Sequence, residues 1–218
     1  MIQPIKRAHS EADKQRREEK IIDAAESLLM ERGYYALNMD QVAQTAGLAK
    51  GTLYLYFKTK EALFITVFER QATIWFNEIK QALSDSGLDG SLETLADLLV
   101  RTLAHKPFLT RLVALSTVIF EYNLSLERAR AHKLWIFGNL AKIGELIDER
   151  FNLHKGLGVV VLFQMFIIVA GLDGFAHPSP IMEEVYKQEP TLTKLDFEVE
   201  LKRLLLIVLK ATQLPPTH

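Results

Sequence analysis

The stretch Ala46–Leu63, AGLAKGTLYLYFKTKEAL, suits neither a solvated surface nor a core. It sets Leu53, Tyr54, Leu55, Tyr56 and Phe57 behind a lysine, a glycine and a threonine, then returns to lysines around Thr59. Gly47 supplies the left-handed residue of a sharp turn, so the segment reads as the end of one short helix, a turn Ala46-Gly47-Leu48, and a second helix over about 49–57. With Ala43 small enough for a close crossing, the layout is that of a helix-turn-helix. At 100° per residue, Ala49 and Phe57 share the core side with Leu53. Gly51 and Leu55 point the opposite way, with Thr52 and Tyr54 on the flanks.

An outward face kept only for solubility would carry Glu and Lys, and a glycine there costs about 1 kcal/mol relative to alanine. A DNA major groove accounts for the composition. Gly51 permits close approach, Lys50 and Thr52 reach base edges or phosphate, and the Tyr54 and Tyr56 hydroxyls bond phosphate oxygens. Leu55 meets a thymine methyl. Helix starts near Met39 and Lys60 offer free N–H groups to phosphates. Leu53 and Phe57 are core residues, and the Tyr56 hydroxyl has a competing use within the protein.

Outward from this segment, apolar residues recur at three- and four-residue intervals almost throughout, which predicts an all-α chain. Ser10 with Asp13 resembles a capping box, followed by the stripe Ile21, Ile22, Ala25, Leu28 and Leu29 and a stop at Gly33. Asn38 with Gln41 forms a second capping box, with Leu37 and Val42 as a staple. Thr59 caps a long helix carrying Leu63, Phe64, Val67, Phe68, Trp75, Phe76 and Ile79 up to the linker SDSGLDGS. Further helices are expected from Ser91 to about His105, from Pro107, over about 126–150, over 157–172 and over 197–209. The segment DGFAHPSPIMEEVYKQEPT reads as a breaker-rich loop.

Composition narrows the function. A chain of 218 residues that is 49% hydrophobic buries a full core. It has no cysteine, which excludes disulfides and thiolate metal sites and fits the cytoplasm. No apolar signal core opens the sequence. The net charge of −1 argues against coating nucleic acid by bulk attraction. Residues 1–60 hold ten Lys/Arg against eight Asp/Glu, the remainder sixteen against nineteen, so any nucleic-acid contact is local. The apolar run 157–172 falls short of the roughly 20 residues that cross a bilayer and contains Gln164; a helix apolar all round is more simply buried between its own domain and a second subunit. No Gly-x-Ser-x-Gly elbow, phosphate loop or His-Glu-x-x-His pair occurs. His9, His105, His132, His154, His177 and His218 lack metal-ligand spacing and read as surface or hydrogen-bonded histidines, so neither an enzyme nor a metal or other cofactor is expected.

The residues Gly33-Tyr34, Val42-Ala43, Ala46-Gly47-Leu48, Lys50-Gly51-Thr52-Leu53-Tyr54, Tyr56-Phe57 and Lys60 with Leu63 resemble the motif of the TetR family of bacterial transcriptional regulators over roughly residues 17–77. Asn38 and Met39 stand where hydroxyl residues are usual and Ala49 where serine is common, so hydroxyl contacts to phosphate there are lost or altered. The resemblance implies an N-terminal three-helix DNA-binding head, residues 11–58, joined by a long helix to a larger helical ligand-binding and dimerisation domain, residues 59–218. DNA contacts are expected from Asn38, Met39, Ala49, Lys50, Gly51, Thr52, Tyr54, Leu55, Tyr56 and Lys60. Two copies paired through the last two long helices, at Val159, Phe163, Phe166, Leu201, Leu205 and Val208, would read a near-palindromic operator with half-sites about 34 Å apart.

Family members commonly hold a small-molecule pocket whose occupation lowers DNA affinity. Candidate lining residues are Trp75, Phe108, Phe120, Trp135 and Phe163, with Thr117, Asn139 and Gln164 as polar contacts, against the plainer reading that these aromatics pack the core. The expected function is a repressor released by a small hydrophobic effector. The alternatives are an activator or an architectural DNA-binding protein of the same fold whose large domain holds a protein partner.

Overall fold

In the computed structural model, backbone is described for residues 5–212 and side chains for 11–116, 119 and 122–211. Ten α-helices and one 3-10 turn make up this span, with no strand among the described residues. The helices are α1 Ile5–Arg32, α2 Met39–Thr45, α3 Lys50–Tyr56, α4 Lys60–Leu83, α5 Leu92–Ala104, α6 Pro107–Val118, α7 Leu126–Arg150, α8 Leu157–Ala176, α9 Pro180–Gln188 and α10 Phe197–Thr212, with the 3-10 turn at Phe120–Asn123.

Local chemistry sets most boundaries. Gly33 takes φ +72° and its N–H donates to the Leu29 carbonyl, ending α1. Thr59, Ser91, Ser125 and Ser179 each accept a backbone N–H at the starts of α4, α5, α7 and α9, worth about 1 kcal/mol per cap. Two expectations need correction. Helix α1 already begins at Ile5, so Ser10 lies within it and is no cap; Asp13 instead pairs with Arg16 at 2.8 Å, one turn on. The segment 173–191 is not all loop, because Ser179 caps and Pro180 at the first helical position starts α9.

Helix α4 is shared by two layers. Its head end packs with α1, while its length runs against α5, α6 and α7. Leu63, Phe64, Ile65, Val67, Phe68, Ala72, Trp75, Phe76, Ile79 and Leu83 are all buried along it. A helix enclosed on so many sides moves only with its neighbours, which suits it to link the head to the body.

Helix α8 packs among α6, α7 and α10. At 20 residues it is longer than expected, and by length and composition alone long and apolar enough to cross a membrane. Its start is built by one carboxylate: Asp148 accepts from the backbone N–H of Gly156 and of Gly158, both at 2.6 Å. A Cβ on Gly158 would stand 2.2 Å from the Gly144 carbonyl oxygen, and one on Gly144 would stand 2.5 Å from the Val159 nitrogen. Gly156, at φ +92°, gives the turn its handedness, whereas Gly158 exists for this backbone-to-backbone crossing rather than for flexibility at the helix start.

Candidate functional site

Asn38 Oδ1 accepts from the Gln41 N–H at 3.0 Å and Gln41 Oε1 accepts from the Asn38 N–H at 2.9 Å, closing the box that starts α2. Gly47, at φ +68°, turns the chain, and the Leu48 N–H returns to the Ala43 carbonyl at 2.9 Å. Leu37, Val42, Leu53 and Phe57 are buried beneath. This core holds α3 with its opposite face free. Leu55 is 75% exposed, and Lys50 and Gly51 are exposed beside it. A Cβ at Gly51 would meet nothing within 4 Å, so no internal packing demands a glycine there. Thr52, Tyr54 and Tyr56 are half-buried on the flanks, and Ala49 is an exposed N-cap with no side-chain bond.

Lys50 is not idle. Its Nζ lies 2.8 Å from the Asp40 carboxylate, and that contact raises its pKa. Two residues expected at the DNA have side chains engaged within the head. The Met39 side chain is 7% exposed and belongs to the head core, because the capping box turns the first residue of α2 inward. Lys60 donates to the Tyr34 and Leu37 carbonyls at 2.5 and 2.7 Å and stands 3.8 Å from the Tyr34 ring centre, so it caps the loop before α2 rather than facing solvent. Desolvation pulls its pKa down. Beside it the Tyr34 hydroxyl donates to Glu61 at 3.0 Å, and burial, then Glu61, push the phenol pKa up.

In the body, α6, α7 and α8 enclose a cavity of about 300 Å³ lined by Ser116, His132, Lys133, Ile136, Phe137, Leu140, Phe163, Phe166, Ile167 and Ala170. Phe137 and Phe163, both partly exposed, meet at a ring separation of 5.8 Å. Among the described residues the lining is apolar except for Ser116, His132 and Lys133. Of the six expected pocket residues whose side chains are described, Phe163 alone lies here. Trp75 is buried, its Nε1 donating to Thr102 Oγ1 at 3.0 Å. Trp135 packs against Phe76 and His132, and Asn139 donates to the Trp135 carbonyl one turn back. Phe108 borders a separate groove with Tyr34, Tyr35 and Arg111. Gln164 is exposed. The side chains of Thr117 and Phe120 lie outside the described residues. His132, Ile136 and Leu140 were legible as one i, i+4, i+8 stripe, but a lone histidine within it reads first as a satisfied core residue.

His132 bonds across to α4. Its Nδ1 lies 2.9 Å from Glu69 Oε1, and Glu69 takes both Arg128 Nη1 and Nη2, at 2.9 and 2.7 Å. Burial pushes the Glu69 carboxyl up, but hydrogen bonds from His132 and Arg128 more than offset this and leave its pKa below the ordinary value. The next residues on α4 reach the head: Arg70 bonds Asp23 and Glu26 of α1, and Gln71 bonds Glu26 at 2.6 Å. The cavity wall, α4 and α1 are thus tied by consecutive side chains.

The expected pairing surface is also redrawn. Leu201 and Leu205 are fully buried within the subunit, because that side of α10 packs on α5 and α8. Val159 is half-buried over Gly144, and Phe166 packs edge-to-face on Phe68. Val208 is half-buried, while Val160, Phe163, Ile167 and Phe175 of α8 and Val199 and Ile207 of α10 are exposed.

Comparison with known proteins accords with this geometry. Residues 21–67 match the family model described as "Bacterial regulatory proteins, tetR family", and residues 69–212 match "Tetracyclin repressor-like, C-terminal domain". The chain is 35% identical over 66 residues to the fatty acid metabolism regulator protein of Bacillus subtilis, covering 30% of this chain and 34% of that protein. It therefore spans only about a third of that relative's length. It is 28% identical over 160 residues to the HTH-type transcriptional repressor KstR of Mycobacterium tuberculosis, 70% of each chain. Among solved structures, FadR of Thermus thermophilus, described as a transcriptional repressor in complex with lauroyl-CoA, superposes with a TM-score of 0.61 at 21% identity, over 92% of this chain and 97% of that one.

Proposed function

Because this chain belongs to the tetR family of bacterial regulatory proteins, and is thereby a DNA-binding transcriptional regulator, we propose that it is a repressor released from its operator by a small hydrophobic effector. The observation that carries this reading is the outward face of α3, where Gly51 and Leu55 are exposed without an internal packing role and Lys50 is exposed beside them, paired with the exposed Asp40. Head residues 11–58 present that face to the major groove. Gly51 admits the DNA backbone, Leu55 meets a thymine methyl, and Lys50, Thr52, Tyr54 and Tyr56 bond base edges and phosphates. Asn38 and Ala49 lie at the starts of α2 and α3, whose first N–H groups approach phosphates.

Residues 59–218 hold the effector and pair the subunits. The apolar stripe of Val160, Phe163, Ile167 and Phe175, continued by Val199 and Ile207, favours a symmetric dimer that covers it. Two heads then read half-sites about 34 Å apart. The cavity between α6, α7 and α8 is the effector site. Its apolar lining, and the lauroyl-CoA held by the Thermus thermophilus relative, support a hydrophobic ligand. An occupant that shifts α7 draws on Glu69 through His132 and Arg128, and Arg70 passes that displacement of α4 to α1. The ligand acts only to the extent that it binds the released arrangement more tightly. The chain works in the cytoplasm, where its DNA lies, with no catalytic role and no membrane partner.

The test is to select bound fragments from the source genome, sequence them, and titrate the recovered operator–protein complex with hydrophobic compounds. Recovery of one near-palindromic sequence, released by a compound that fails to release an Ala170→Trp variant, is expected. Binding at many unrelated sites that no compound disturbs would overturn the repressor reading in favour of an architectural role.

A further inference from the structure

The cavity's polar atoms are disposed in one sense. Glu69 is ionised and filled on its other side by Arg128, so it accepts, and His132 Nδ1 must donate to it. In the neutral ring the remaining nitrogen, Nε2, is then a lone-pair acceptor, and the hydrogen bond of the ring among the described residues is made through Nδ1. The ring cannot turn to present anything else: it packs edge-to-face on Phe68 at 5.7 Å and stacks on Trp135 at 6.2 Å. Ser116 repeats the pattern. Its hydroxyl proton is committed to the Val113 carbonyl at 2.8 Å, which leaves oxygen lone pairs on a buried side chain that lines the same cavity. Among the described lining residues Lys133 is the one lysine or arginine, and it is exposed.

From this we infer that the cavity selects an apolar molecule carrying a hydrogen-bond donor, a hydroxyl or an N–H, which it delivers to His132 Nε2 and Ser116 Oγ, and that His132 is the residue setting this preference. The inference rests on the cavity being the effector site. An apolar body fills the space among Ile136, Leu140, Phe163 and Ile167, whereas a ligand with only acceptors at that position sets its own lone pairs against those of His132 Nε2 and Ser116 Oγ. At about 300 Å³ the cavity is at the small end of ligand pockets, so one misplaced polar group is not diluted by many other contacts.

The experiment uses the 218-residue chain at pH 8, with 1-decanol, its methyl ether and decanoate as probes and tryptophan fluorescence as readout, Trp135 lying against His132. Decanol is expected to bind about tenfold or more tightly than the ether. His132→Phe should lower decanol to the level of the ether without weakening the ether, and Ser116→Ala should reduce decanol several-fold, a second variant that leaves the Glu69 network untouched. Equal binding of decanol and ether to the wild type, with both blocked by Ala170→Trp, would overturn the donor preference and leave the cavity as the effector site. Binding that survives Ala170→Trp, or no binding of any probe, would overturn the cavity assignment itself. Decanoate binding more tightly than decanol would hand recognition to Lys133 and likewise overturn the proposal. Ala170→Phe replaces the tryptophan variant if circular dichroism shows lost helix.

Discussion

Leu55→Ala separates DNA reading from folding more cleanly than any other change in the head. The side chain is 75% exposed and touches none of the head core, so its truncation should move stability by no more than about 0.5 kcal/mol. Against DNA the accounting differs. Burying a methylene contributes about 0.8 kcal/mol, and a thymine methyl covers under half of what the truncation removes, so the loss is about 1 kcal/mol per half-site. Two half-sites give about 2 kcal/mol, or roughly 30-fold in affinity. Fluorescence anisotropy on the selected operator measures this directly. Replacing the contacted thymine by uracil in both half-sites deletes the same contact from the other side. Leu55→Ala and the uracil operator should therefore each cost about 30-fold alone and little more together. If the two losses multiply at every thymine tested, or if the variant weakens all sequences alike, Leu55 is not a base-reading residue and the assigned orientation of α3 in the groove is wrong.

Lys50→Ala should weaken operator binding and flatten the slope of log affinity against log salt by about one unit per half-site, while Asp40→Asn, which frees Lys50 from its ion pair, should tighten binding; an unchanged slope in Lys50→Ala assigns the lysine away from phosphate. Glu69 has a folded pKa below its ordinary 4.5, so its contribution to stability is full above that value and lost as pH falls through the lower folded value. Urea unfolding from pH 7 to pH 3 should accordingly show Glu69→Gln losing less stability over the acid end of the range than the wild type does, and parallel curves would refute the ion cluster. Ile207→Asp should yield a folded monomer in sedimentation, whereas Leu205→Asp should lower helicity outright, since Leu205 is fully buried and Ile207 is 56% exposed. A stable Leu205→Asp dimer would contradict the placement of α10.

The head was readable from its residues because its determinants are local. Asn38 with Gln41, Gly47 between two short apolar periods, and Thr59 before a long one each act within four residues, so capping, turn and helix follow without knowing what packs where. The same locality misled at Ser10 and at Ser179. Nothing about Ser10 itself reveals that helix formers on both sides carry the helix past it, and the breakers around Ser179 obscured a sound cap.

What the order of residues determined by itself is the helical class, the helix-turn-helix and the outward direction of Gly51 and Leu55, since these depend on periodicity and on backbone chemistry within a turn or two. What only the tertiary structure decided is where side chains go when several partners compete for them. Lys60 turned to two carbonyls, Met39 to the core, Leu201 and Leu205 to their own subunit, and His132 to Glu69, 63 residues away. A long side chain or a fully apolar helix carries no periodic mark of which neighbour claims each face; that is settled by which buried charges and carbonyls need a partner once the helices have packed.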